Sequence, residues 1–127
     1  MEFQELLISS LKRRYKNHAV LQEQFDYMAE KLKRLYKELK EFTSYGLDVE
    51  FDENDYSAKL SIKDFYLQFE FFNDDDSPCI QVVWGKEDDS YSFDKIEAQR
   101  LIDKSEADRA FDIYLHRTFN DLLKELN

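Results

Sequence analysis

The sequence contains very little cysteine, glycine or proline, and each shortage excludes a class of protein. Cys79 is the only cysteine among 127 residues, so no intrachain disulfide can form. A lone thiol is typical of a reducing compartment, and we therefore expect a cytoplasmic location. With two glycines and one proline, the chain also lacks the composition of a disordered or loop-rich protein.

The same shortages argue against several kinds of enzyme. Walker and dinucleotide-binding loops need closely spaced glycines, whereas Gly46 and Gly85 stand far apart in this chain. His18 and His116 are the only histidines, and together with one cysteine they form no zinc signature. Because no residue cluster matches a known catalytic pattern, we expect a protein that is not an enzyme and has no cofactor.

Long apolar runs are also missing. No eighteen consecutive residues are apolar, and the N-terminal residues lack a basic segment followed by an apolar one, so we expect neither membrane insertion nor secretion. The chain does contain eleven Phe, eight Tyr and one Trp, within a hydrophobic content of 43%. That content is enough for the core of one domain, and we treat residues 1–127 as a single domain.

Residues 1–46 have the pattern of helices. Apolar residues recur at steps of four and three, which is the spacing of a packed helical seam: Leu21, Phe25, Met28, Leu32, Leu35, Leu39 and Phe42. Extending this register backwards brings in Leu7 and Leu11, but also Arg14 and His18, which a dry interface would not accept. Gly46 can adopt the left-handed conformation that commonly ends a helix.

The length of this helical region raises a question of packing. An unbroken helix over residues 4–45 would be about 63 Å long, whereas a domain of this size has a radius of gyration of about 14 Å. The helix must therefore break, or overhang and pair with another chain. We expect a break near residues 17–19. For the seam itself we favour packing on the chain's own sheet, because its flanking residues lack complementary charges; a homodimer through this long helix is the alternative.

Residues 47–93 switch to the alternation of β-strands. Polar turns separate runs in which apolar side chains occupy every second position: Leu47–Phe51, Tyr56–Ile62, Phe65–Phe71, Ile80–Trp84 and a short Tyr91–Phe93. Lys63 and Asp64 are suited to a tight turn. The pattern predicts an antiparallel meander of four or five strands.

Residues 94–127 are predicted to be helical again. Asp94 with Glu97, and Ser105 with Asp108, have the spacing of an N-cap and a first-turn acid, which predicts a short helix and then a longer one. The expected buried stripe of the longer helix is Phe111, Leu115, Phe119, Leu122 and Leu126. Helices on one face of an antiparallel sheet make an α+β domain of two layers.

The negative charge is concentrated in the predicted sheet. Between residues 47 and 95 there are fourteen Asp and Glu against four Lys, a net charge of −10, while residues 1–46 carry +2 and residues 96–127 carry −2. In a meander the turns alternate between two ends. Glu53 and Asp55 should therefore lie near residues 74–76, and Asp64 near residues 87–89, so that both rims of the sheet are acidic.

This charge distribution suggests a kind of partner. Acidic rims would repel a phosphate backbone, so we expect no direct nucleic-acid binding, but they would complement a basic surface on another protein. Such a surface occurs on nucleic-acid-handling enzymes, and phages and mobile elements are expected to encode inhibitors that imitate DNA charge. The predicted contact residues are Asp74, Asp75, Asp76, Glu87, Asp88 and Asp89.

Two other interpretations remain open at this stage. Asp108, Asp112 and His116 follow one another at four-residue steps on one predicted helix and could present two carboxylates and an imidazole to a cation, as in a metal-dependent enzyme. The plain alternative is an exposed helix face. The net charge of −10 could likewise do no more than keep an ordinary domain soluble.

Overall fold

The computed structural model describes residues 2–98 and 103–127, and these contain three α-helices and five β-strands. The helices are α1 (Phe3–Arg14), α2 (Lys16–Leu39) and α3 (Lys104–Leu126), with a 3₁₀ helix (Lys40–Tyr45) after α2. The strands are β1 (Val49–Asn54), β2 (Ser57–Ile62), β3 (Phe65–Phe72), β4 (Cys79–Lys86) and β5 (Tyr91–Ile96). Across the described ranges, every helix is too short or too polar to cross a lipid bilayer.

The five strands form one antiparallel meander in the order β1-β2-β3-β4-β5, so the expected topology is confirmed. The central strand β3 places Phe65, Leu67, Phe69 and Phe71 on a buried face. The register pairs Leu67 with Leu60 on one side and with Trp84 on the other, so buried positions line up across the sheet. The strict alternation of the sequence reflects this one-sided burial.

α2 and α3 cover the buried face of the sheet and form the second layer. Leu21, Phe25, Met28 and Leu32 of α2 belong to the same hydrophobic core as the inward residues of β2, β3 and β4. Phe69 stacks on Phe111 of α3 with ring centroids 6.0 Å apart. The predicted two-layer α+β fold is therefore correct, and the seam of α2 packs on the chain's own sheet.

The break in the N-terminal helical region lies at Tyr15 and not within residues 17–19. Its φ of −98° and ψ of 16° depart from helical values, yet the i→i−4 pattern continues on both sides. Tyr15 N–H donates to Leu11 O, and Ala19 N–H donates to Tyr15 O, each at 3.0 Å. The chain does not turn back, and α1 contains no buried residue. Leu7 and Leu11, which extend the seam in the sequence, are exposed.

The C-terminal part differs from the prediction at its start. Asp94 lies within β5, so it does not cap a helix, and the sheet continues past the predicted boundary at residue 93. The physical reason is tertiary, because Tyr114 O–H donates to the Asp94 carboxylate at 2.6 Å. The remainder of the predicted short helix falls largely on residues outside the described ranges.

α3 begins at a different cap from the one predicted. The Asp103 side chain accepts a hydrogen bond from Glu106 N–H at 3.0 Å, which makes Asp103 the N-cap, whereas Ser105 lies inside the helix. The buried stripe consists of Ala107, Phe111, Tyr114, Thr118 and Leu122. Leu115 and Phe119 are only partly buried and Leu126 is exposed. The predicted stripe therefore shares only Phe111 and Leu122 with the observed one.

Candidate interaction surface

The turns of the meander gather acidic residues at two opposite rims, as the sequence predicted. We call residues 63–64 and 87–90 the Asp64 rim, and residues 53–56 and 73–78 the Asp75 rim. Glu87 N–H donates to Asp64 O at 2.8 Å, which ties the two turns of the Asp64 rim together. At the opposite rim, Phe71 N–H donates to Tyr56 O at 2.8 Å.

The backbone at the Asp64 rim is held in tight turns. Lys63 and Asp88 adopt positive φ angles of 53° and 64°, the left-handed conformation that a short hairpin turn requires. Asp89 N–H donates to Lys86 O at 3.1 Å, and Ser90 N–H donates to the Asp89 carboxylate at 2.7 Å. These bonds place the carboxylates of the rim on a defined frame.

The carboxylates of the Asp64 rim face solvent. Asp64, Glu87, Asp88 and Asp89 are all exposed. None of the salt bridges within residues 2–98 and 103–127 involves them. Lys63 and Lys86 belong to the same end of the sheet, but the Lys86 ammonium lies over the Phe65 ring, 5.3 Å from its centroid. The rim is therefore a group of four carboxylates that remain open to an external cation.

The Asp75 rim is partly neutralised by the chain itself, which corrects the expectation of a uniform acidic array. The Arg14 guanidinium lies 2.9 Å from the Asp75 carboxylate and 3.6 Å from that of Asp76. The hydrogen bond from Arg14 holds the pKa of Asp75 below its usual value, with a smaller contribution from Tyr15. Lys33 binds Glu53 at 2.9 Å, and its pKa is raised by that hydrogen bond.

Asp74 has a local structural role at the same rim. Its carboxylate accepts hydrogen bonds from Asp76 N–H at 2.9 Å and from Ser77 N–H at 3.4 Å, which stabilises the turn. Its backbone carbonyl accepts a hydrogen bond from His18 Nε2 at 2.7 Å. Of the six predicted contact residues, the three at 74–76 are thus engaged within the molecule to different degrees. The three at 87–89 form no salt bridge among the described residues, although the Asp89 carboxylate accepts a hydrogen bond from Ser90 N–H.

The sequence did not indicate that α2 adds acids to the Asp75 rim. Asp26 and Glu30 of α2 line a cleft of about 720 Å³ together with Glu53, Asp55 and Tyr56 of the first hairpin. Part of this charge is also satisfied internally, since Glu30 pairs with Arg34 at 3.5 Å. The residues that line this cleft come from a helix and from a strand turn that are far apart in the sequence. No local sequence pattern predicts that they lie together.

The outer face of the sheet carries exposed aromatic residues. Tyr91 and Phe93 of β5 are each 63% exposed, and Phe72 of β3 is 43% exposed. The Lys59 ammonium lies 4.8 Å from the centroid of the Tyr66 ring on the same face. The aromatic residues border the acidic turns, so the rims offer apolar as well as charged contacts.

The candidate metal ligands of α3 do not converge. The Asp108 carboxylate accepts a hydrogen bond from Tyr27 O–H at 2.7 Å and pairs with the Lys31 ammonium, whereas Asp112 and His116 face solvent. Within residues 2–98 and 103–127, no three His, Cys, Asp or Glu side chains are arranged to bind a metal ion. The plain alternative, an exposed face with an ion pair between Asp112 and His116, fits in part: both residues are exposed, but the ion pair of this helix joins Asp108 to Lys31 of α2.

Cys79 is the first residue of β4 and is buried. Burial raises the pKa of its thiol, which disfavours the reactive thiolate. Comparison with known proteins found no match to a family model, to a curated protein or to a solved structure.

Proposed function

We propose that this chain is a small non-enzymatic binding protein whose Asp64 rim occupies a basic site on a target protein. The observation that carries the proposal is the group of four exposed carboxylates at Asp64, Glu87, Asp88 and Asp89, which no salt bridge among the described residues involves. Such a group attracts an external basic surface, and its four negative charges exceed the two positive charges of Lys63 and Lys86 at the same end of the sheet.

The rigidity of the rim supports the same proposal. A flexible acidic segment would have to be ordered on binding, and that ordering would cost conformational entropy. The backbone hydrogen bonds from Glu87 N–H to Asp64 O and from Asp89 N–H to Lys86 O order the turns before any partner arrives. A pre-ordered row of carboxylates next to Tyr91 resembles the charge and stacking surface of a nucleic acid, so a nucleic-acid-handling enzyme is the class of target that we favour.

The test uses the intact chain as bait in an extract of its native host at low and at high salt. We expect a basic protein to be captured at low salt and released at high salt, since exposed charge pairs are screened. The variant Glu87→Gln/Asp88→Asn/Asp89→Asn should lose at least tenfold in affinity for the captured protein. Asp75→Asn/Asp76→Asn is the matched control, because those carboxylates already pair with Arg14.

A second measurement decides whether the target site is one that binds nucleic acid. The wild-type chain should displace a duplex DNA probe from the captured protein, and the triple variant should do so poorly. Capture that is indifferent to salt and to the triple variant would contradict the proposal. A complete absence of capture would favour the simpler interpretation, in which the charge only maintains solubility.

A further inference from the structure

α1 exposes an apolar surface that its own chain does not cover. Phe3, Leu6, Leu7, Ile8 and Leu11 are between 45% and 76% exposed, and no residue of α1 is buried. Single exposed apolar residues are ordinary on protein surfaces, but five within three turns of one helix form a contiguous patch of the kind that marks an interaction site.

The patch continues the core-facing stripe of α2 beyond the body of the protein. Phe3, Leu7 and Leu11 follow at steps of four, and the same register runs on through Arg14 and His18 to the buried Leu21. Arg14 anchors the last turn of α1 to Asp75 at 2.9 Å. The helix is thus held in place at its C-terminal end, and the apolar stripe before that point has nothing beneath it among the described residues.

The charges of α1 indicate what covers the stripe. The acids of this helix, Glu2 and Glu5, lie at the N-terminal end, whereas Lys12 and Arg13 lie in the last turn. In an antiparallel pair of identical helices each end meets the opposite end of the partner, and the residue on the twofold axis meets its own copy. Crossing at Leu7 therefore brings the acidic N-terminal end of each helix towards the basic C-terminal end of the other.

A parallel pair would be electrostatically unfavourable. It would bring the basic last turn of α1, with Lys12 and Arg13, close to the same cations of the other copy. Like charges at close range oppose association and help to select the orientation of helix pairs. The stripe and the charges thus agree on one arrangement, in which Phe3 packs against Leu11 of the partner copy.

We propose that α1 pairs antiparallel with α1 of a second copy of this chain, with Leu7 at the twofold axis. The helices are about 18 Å long, so the interface is small and the dimer forms in a concentration-dependent way. The apolar stripe provides the attraction, while the opposite charges at the two ends of α1 select the orientation.

The oligomeric state is measured by sedimentation equilibrium from micromolar to millimolar concentration. We expect a reversible dimer whose dissociation constant rises at least tenfold in Leu7→Glu. Because α1 has no buried residue, circular dichroism at a concentration low enough for both chains to be monomeric should show the same thermal midpoint for this variant. Leu123→Glu is the control, since Leu123 of α3 is equally apolar and 58% exposed but lies outside the stripe.

The orientation is tested by charge exchange and by cross-linking. Arg13→Glu should weaken the dimer, and the additional change Glu2→Lys should restore it. In a Cys79→Ala background, Leu7→Cys should form an interchain disulfide on mild oxidation while Phe3→Cys should not, because only the residue on the twofold axis meets its own copy.

Several results would overturn the proposal. These are a monomer at millimolar concentration, a dimer that survives Leu7→Glu, or efficient cross-linking at both Phe3→Cys and Leu7→Cys, which would indicate a parallel pair. A chain that stays monomeric and cosediments with phosphatidylserine vesicles would instead assign the stripe to an anionic lipid surface.

Discussion

Asp108 joins the two long helices through its side chain. Its carboxylate accepts a hydrogen bond from Tyr27 and pairs with Lys31, so a single residue of α3 contacts two residues of α2. These contacts hold the pKa of Asp108 below its usual value, mainly through Lys31 and then through Tyr27, and they raise the pKa of Tyr27. The four-residue spacing that suggested a metal site could not reveal these partners, which lie far away in the sequence.

The lowered pKa of Asp108 predicts a pH-dependent contribution to stability. The folded carboxylate ionises more readily than its unfolded counterpart, whose pKa is near 3.8. Its contribution is therefore complete above that pH and disappears as the pH falls through the lower folded value. Asp108→Asn should reduce the urea midpoint at neutral pH, and the difference from wild type should shrink in acid.

The control for this experiment is Asp112→Asn, because Asp112 lies on the exposed side of the same helix. It should leave the urea midpoint nearly unchanged at both pH values. An equal loss of stability in the two variants, or a difference that persists undiminished in strong acid, would show that the Asp108 contacts are not the cause.

Arg14 and His18 show that the helical register of a residue does not by itself determine whether its side chain faces an apolar interface. The sequence placed both on an apolar seam, where a dry interface would reject them. In the structure this part of the helical region meets the polar loop at residues 73–78, where Arg14 binds Asp75 and His18 donates to the Asp74 carbonyl. The predicted helical register was correct. This side of the helical region faces the hydrophobic core along α2 but faces the polar loop at residues 73–78 near Arg14 and His18.

At the scale of elements, the end of the α2 region follows helix-capping rules closely. Gly46 has a φ of 97°, and its N–H donates to Thr43 O at 3.1 Å while Leu47 N–H donates to Phe42 O at 3.2 Å. This is the hydrogen-bond pattern of a Schellman motif. The glycine was predictable from sequence, whereas the tightening of residues 40–45 into a 3₁₀ helix was not.

Gly46→Ala should destabilise the protein through backbone strain alone. A Cβ at this position would meet no atom within 4 Å, so steric clash with neighbours is not the cause. A non-glycine residue in the left-handed region costs about 1–2 kcal/mol. Gly46→Asn should cost less, because asparagine adopts this conformation more readily. Chemical denaturation measures both, and equal losses for Ala and Asn would contradict the explanation.

At the scale of the whole molecule, stability depends on the single core between the sheet and the two long helices. Phe69 lies at its centre, on the middle strand, and is completely buried. It contacts Phe111 and Tyr114 of α3 at ring-centroid distances of 6.0 Å and 6.3 Å. Loss of this side chain would therefore affect both layers at once.

We expect Phe69→Ala to lower the free energy of unfolding by about 3–5 kcal/mol, the usual cost of removing a buried aromatic ring. That is a large fraction of the roughly 5–15 kcal/mol that stabilises a typical domain. Phe72→Ala, in the same strand but on the outer face, should cost much less because Phe72 is 43% exposed. Urea denaturation of both variants measures the two losses of stability. Similar losses would contradict the assignment of Phe69 to the buried face and Phe72 to the outer face of the sheet.

Local patterns in the sequence determined the elements and the overall architecture. Alternation with a period of two predicted the strands, and steps of three and four predicted the helices, because these periods follow from the geometry of the chain itself. The predictions were wrong where local sequence signals were weak or where tertiary contacts overrode them. Asp94 has the spacing of a helix cap, but a hydrogen bond from Tyr114 accompanies its place in β5.

Only the tertiary structure decided which charges remain available. From the sequence alone, residues 74–76 and 87–89 were equivalent acidic turns. Folding places Arg14 beside Asp75 and Asp76, and it leaves Glu87, Asp88 and Asp89 without such a neighbour among the described residues. It also leaves the apolar side of α1 uncovered. Ion pairs and burial depend on which distant segments of the chain come into contact in the fold. Composition and periodicity describe the chain only locally, so they do not predict these contacts.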